Sequence, residues 1–128
     1  MAGYLAVVLS EESVAKLKDA FPPVHPVVHC HHMTVAWRPS EQVLEEYEHL
    51  LGKEFDLCVY GYATDDKGQA VRVVPPFNLA VENNHPHITL SCAEGVGAEY
   101  SNELLERNFS RFGRLGLKFR GTLEFVLL

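Results

Sequence analysis

A chain of 128 residues, 47% hydrophobic and 22% charged, has apolar material for one core and too much for a disordered tail. No apolar run approaches the roughly 20 residues that a bilayer-spanning helix needs, and Met1-Ala2-Gly3-Tyr4 lacks the basic flank of a secretory signal. The net charge of −6, with 6 Lys/Arg against 16 Asp/Glu over residues 1–106, argues against long, non-specific tracking along nucleic acid.

Tyr4 to Leu9 reads as a first strand. Ser10 reads as the N-cap of a helix with Val14, Leu17 and Phe21 on one face. Pro22, Pro23 and Pro26 end it in a stiff loop that carries His25. A strand through His32-Met33-Thr34 follows and closes near Arg38-Pro39. Ser40 then caps a second helix striped by Val43, Leu44, Tyr47, Leu50 and Leu51, with Gly52 as its stop. Phe55–Tyr62 and Gln69–Val74 flank Asp65-Asp66-Lys67-Gly68 as a hairpin. A strand is expected around Phe77–Val81 and another from His87 to Cys92. Gly95 and Gly97 turn into a helix with Leu104, Leu105, Phe109 and Phe112 on one side. The last stretch alternates, Leu115, Leu117, Phe119, Leu123, Phe125 and Leu127 against Lys118, Arg120, Thr122 and Glu124, with a bend at Gly121. No linker divides this order, which predicts one α+β domain over residues 1–128 and a monomer.

The chemistry sits in a repeated tripeptide, His32-Met33-Thr34 and His87-Ile88-Thr89, each on a strand. Side chains alternate along a strand, so each His and Thr share one face while Met33 and Val35, or Ile88 and Leu90, share the other. Two such strands side by side would converge two imidazoles and two hydroxyls. That set suits phosphate ester chemistry, with one His to take a proton, one to give it, and Thr34 and Thr89 to bind non-bridging oxygens. One copy per half of the chain suggests two lobes about a cleft.

His29-Cys30-His31-His32, with His25 upstream, is the densest metal-like cluster. Alternation turns His29 and His31 away from Cys30 and His32, and no partner motif lies elsewhere, so no metal is expected. His31 reads as a surface or packing residue, His85 as a loop residue and Cys92 as core. Three cysteines, Cys30, Cys58 and Cys92, without framework spacing imply reduced thiols in a cytoplasmic or nuclear setting. A phosphate-cradling Gly-x-x-x-x-Gly-Lys-[Ser/Thr] loop is absent, and no cofactor is expected. Arg107, Arg111, Arg114, Lys118 and Arg120, with Arg38 beside the first motif, are either cations that grip a phosphorylated end or a solvated face.

The paired tripeptides resemble the signature of the two-histidine phosphoesterase superfamily. The run from Asn84 through His87-Ile88-Thr89 to Val96, continuing over Ser101–Leu105, resembles the cyclic phosphodiesterase domain of fungal and plant tRNA ligases, and His32–Trp37 resembles its first motif. The resemblance implies a bilobal fold, antiparallel sheets lining a cleft with helices outside. It also implies metal-independent opening of an RNA or nucleotide 2′,3′-cyclic phosphate to a 2′-phosphate, as in RNA repair or tRNA splicing. It carries His32, Thr34, His87 and Thr89 over as the catalytic set, His87 as base and His32 as acid. The kinase and ligase modules of those ligases are missing here. A 2′-5′ oligonucleotide or ADP-ribose cyclic phosphate phosphodiesterase, and a non-catalytic nucleotide-binding module, remain open beside this reading.

Overall fold

The computed structural model describes residues 2–107, 109–111 and 117–128. Its elements are β1 (Gly3–Leu9), α1 (Glu11–Ala20), β2 (Val27–Val28), β3 (His32–Trp37), α2 (Glu41–Tyr47), β4 (Glu54–Thr64), β5 (Gly68–Val74), β6 (His87–Cys92), α3 (Tyr100–Arg107), β7 (Ser110–Arg111) and β8 (Lys118–Leu127). A short 3-10 turn, Glu48–Leu50, extends α2. The class is the expected α+β, and the strands of both expected lobes belong to one continuous antiparallel sheet. Its order is β2-β6-β5-β4-β8-β1-β3, with β7 paired to β4.

The local signals act as their chemistry requires. Ser10 and Ser40 accept from the backbone N–H of Ser13 and Val43, satisfying donors that a helix start leaves free. Asp65 Oδ1 accepts from the N–H of Lys67 and of Gly68 at 2.9 Å each, which fixes the β4–β5 turn. Gly121 is needed for closeness: a Cβ there would lie 2.6 Å from the Val8 carbonyl oxygen of the paired strand.

The main core lies on one face of the sheet. Met33, Val35, Ile88 and Leu90 join Leu5, Leu57, Val71, Phe119 and Leu123 there, covered by α1 through Leu17 and by α2 through Tyr47. On the other face α3 sets Leu104 and Leu105 against Ala63 and Ala70. Thr89 pairs with Ala70, so it faces the α3 side.

Two expected elements differ. Residues 77–81 form no strand: Leu79 N–H turns back to the Pro76 carbonyl and Glu82 N–H donates to Val35. Leu79 still enters the core while Phe77 projects into water. The third helix stops at Arg107, so Phe109 lies beyond it, packed against the α3 cluster. Phe112 and Leu115 fall outside the described residues.

One crossing run brings the two motif strands together. Residues 27–37 begin bonded to β6 and end bonded to β1. Val27 and Val28 pair with Cys92 and Ser91, while His29 N–H and Cys30 N–H donate to Leu90 and Thr89. From His31, whose carbonyl accepts from Leu9 N–H, the run pairs with β1 instead. The switch is at Cys30, held at φ +55°, a left-handed conformation that side-chain-bearing residues rarely adopt. Its buried side chain anchors the kink, the thiol donating to the Leu90 carbonyl at 3.4 Å.

Candidate active site

β3 and β6 present their polar faces to one cleft of about 760 Å³. His32, Thr34, His87 and Thr89 all line it, with Met33, Val35, Ile88 and Leu90 buried behind them. The side chains of both tripeptides therefore lie on the faces that strand alternation predicts.

Each group is held differently. His87 Nδ1 lies 2.6 Å from the His85 carbonyl oxygen. A carbonyl only accepts, so Nδ1 carries the proton and Nε2 keeps a lone pair in the neutral ring. Burial pulls the His87 pKa below the usual 6.5, the His85 hydrogen bond partly offsets that, and the His85 and Arg72 charges add to the lowering. His32 is pushed down to about 4, by burial first and then by the neighbouring imidazoles of His31, His87 and His29. Thr89, 8% exposed, has its hydroxyl 2.8 Å from Ser101 Oγ and 3.3 Å from the Ala98 carbonyl. Thr34 is half-buried on the cleft wall.

His29 and His31 depart from the sequence reading. Both line the same cleft as His32, while Cys30 alone turns into the core. The kink at Cys30 resets the alternation, so strict period two does not run across it. His31 Nδ1 meets His32 Nδ1 at 2.9 Å, with the rings near perpendicular. Among the described residues no three His, Cys, Asp or Glu side chains form a group able to hold a metal ion.

The expected phosphate grip is also placed differently. Arg120 binds Asp56 and Glu54, Arg107 reaches Asp65, and Arg111 lies over the Tyr60 and Phe109 rings. Arg38 sits 5.7 Å from the Trp37 ring centroid. Arg114 lies outside the described residues. Among the described residues no Lys or Arg side chain lines the cleft, whose lining instead includes the imidazoles of His29, His31, His32 and His87 and the Glu99 carboxylate.

His85 does not line the cleft; its carbonyl fixes the His87 ring, and its own ring meets Arg72 Nη1 at 3.0 Å. His25 is remote, its N–H on Ser91 Oγ and its ring on the Asp65 carbonyl. Cys92 is buried, as expected.

The remaining walls were not assigned from sequence. Tyr4 pairs with Trp37 across β1 and β3, and the Tyr4 ring packs tilted against His32 and Trp37, with centroids 5.1 Å and 5.4 Å away. Trp37 is 56% exposed, an indole shelf at the mouth. Asn83 Nδ2 donates to Asn102 Oδ1 at 2.7 Å, and Asn83 Oδ1 accepts from His85 N–H, bracing the wall that carries His87. Asn102 stands in the stretch that carries the family resemblance, the one signal that could have marked it, and Asn83 lies just before that stretch.

No family model matches the sequence, and no curated protein matches it. Solved structures do match. One is a crystal structure of a fungal RNA kinase, 16% identical, with a TM-score of 0.70 over 100% of this chain and 46% of that one. At that identity the likeness shows the fold alone, and this chain spans less than half the length of the kinase chain. Among the described residues no helix is long and apolar enough to cross a membrane.

Proposed function

We propose that the chain hydrolyses the 2′,3′-cyclic phosphate of an RNA end or nucleotide, leaving a 2′-phosphate and a free 3′-hydroxyl. The observation that carries this reading is the convergence of both His-x-Thr pairs on one cleft, with the His87 Nδ1 proton tied to the His85 carbonyl.

In this reading His87 Nε2 takes a proton from water as the water oxygen attacks phosphorus. The P–O3′ bond breaks, and His32 gives the departing O3′ its proton. Thr34 and Thr89 donate to the non-bridging oxygens, where charge builds in the transition state. Thr89 can turn its proton from the Ala98 carbonyl to the phosphate while accepting from Ser101, so its hydroxyl stays paired throughout. The Tyr4–Trp37 shelf beside His32 supports a nucleobase as the group attached to the phosphate, because aromatic faces stack any base.

Kinase activity is not carried over from the fungal enzyme. This chain matches less than half of it and has no Gly-x-x-x-x-Gly-Lys-[Ser/Thr] loop to cradle ATP phosphates. An RNA substrate fits the likeness to a fungal RNA kinase, and a cleft of this size fits a terminal group more than an extended strand.

The test is turnover of 2′,3′-cyclic mononucleotides, cyclic-phosphate-ended oligomers and 2′-5′-linked dimers, with product regiochemistry read by phosphorus NMR. Formation of 2′-phosphate from the cyclic substrates supports the proposal. Binding without turnover would leave a nucleotide-binding module, and cleavage of the 2′-5′ dimers alone would reassign the substrate.

A further inference from the structure

The proposed reaction needs an acid at His32, yet burial and the neighbouring imidazoles disfavour a charge on His32. Its pKa of about 4 leaves it neutral at neutral pH, and a neutral imidazole N–H is a feeble acid. The contact that answers this is His31 Nδ1 against His32 Nδ1 at 2.9 Å.

Two bare Nδ1 lone pairs would repel at that distance, as would two Nδ1–H groups, so one proton is shared between the rings. His31 is exposed, where water solvates a cation, whereas His32 is half-buried among other imidazoles. The proton therefore belongs to His31 Nδ1, and His32 Nδ1 accepts it. That leaves His32 with its proton on Nε2, the nitrogen free to face the cleft. The opposite holds at His87, where the His85 carbonyl fixes the proton on Nδ1 and bares Nε2. Neighbouring groups thus set the two rings in complementary tautomers, one a donor into the cleft and one an acceptor.

We infer that His31 is a positioning residue that supplies His32 with its proton, a relay from solvent to the leaving oxygen. The inference rests on the hydrolytic reading above. As the P–O3′ bond breaks, the His32 Nε2 proton moves to O3′ and the His31 Nδ1 proton moves to His32 Nδ1. His31 takes a proton from solvent as it gives up the one on Nδ1, His32 stays neutral but changes tautomer, and O3′ leaves as a hydroxyl. The titratable groups around His32 are His29 and His31 on its own run, His87 from β6, Tyr4 from β1 and Glu99 on the α3-side wall.

Two readouts test it. Nitrogen-15 NMR of the wild-type protein near neutral pH should show His32 protonated at Nε2 and His87 at Nδ1; a His32 proton on Nδ1 would overturn the inference whatever the enzyme's substrate. In kinetics on a cyclic mononucleotide, His31→Gln keeps an N–H donor to His32 but has no proton to give. Its kcat should fall on the order of 10²-fold with KM unchanged. His31→Ala should regain rate as imidazole is added, in proportion to its protonated fraction. Wild-type kcat in His31→Gln, or no rescue of His31→Ala, would refute the relay while leaving the phosphodiesterase reading intact. An inactive wild-type protein would refute that reading, and the relay with it.

Discussion

Acid should destabilise this fold through His32 in a window that its surroundings define. In the unfolded chain the imidazole titrates at about 6.5, and in the folded chain at about 4. Between those values the unfolded state binds a proton that the native state refuses, so stability falls as pH falls from 6.5 to 4 and levels off below. At ~1.4 kcal/mol for each tenfold change in proton affinity, the gap is worth about 3 kcal/mol. His87, also lowered, adds loss of the same sign. Asp56 works differently: the Arg120 hydrogen bond holds its carboxyl below the usual range, so its contribution is lost only as pH drops through that lower region. Urea unfolding of wild type and His32→Gln from pH 7 to pH 4 isolates the histidine, because the carboxylate contribution is common to both. The wild type should lose about 3 kcal/mol more than the variant over that range. Parallel curves would refute the account of a buried, imidazole-crowded His32.

Trp37→Ala should raise KM for cyclic mononucleotides about tenfold with little change in kcat, since a base–aromatic stack is worth ~1–3 kcal/mol; steady-state kinetics on two different bases checks it. Gly121→Ala should destabilise the fold by ~1–3 kcal/mol in chemical denaturation, because the new methyl meets the Val8 carbonyl between two paired strands. Hydrolysis should persist after dialysis against EDTA, and recovery only on adding zinc would demand a metal-based mechanism.

The signals legible in the sequence were those with a short physical range. The phase of each His-x-Thr strand follows from period two, and Met33, Val35, Ile88 and Leu90 are buried accordingly. Ser10, Ser40 and Asp65 act within three residues of themselves. What failed depended on distant partners or on a local exception. Cys30 takes a left-handed turn without being Gly, Asn or Asp, so nothing announced that His29 and His31 would face the cleft. Residues 77–81 have strand-like apolar content, but their backbone bonds back to Pro76 while Tyr47 donates to the Ala80 carbonyl. The basic C-terminal segment looked available for phosphate because Asp56 and Asp65, which meet Arg120 and Arg107, lie far away in sequence. Tyr4 joined the site only through strand pairing with Trp37.

The most direct measurement is the rate of 2′,3′-cyclic mononucleotide hydrolysis by the wild type, His32→Ala and His87→Ala, with each variant's fold checked by circular dichroism. Wild type should release the 2′-phosphate, and each variant should lose at least ~10²-fold in kcat/KM, the usual contribution of a proton-transfer group. Near-wild-type turnover in either folded variant, or none in the wild type, would contradict the two-histidine account.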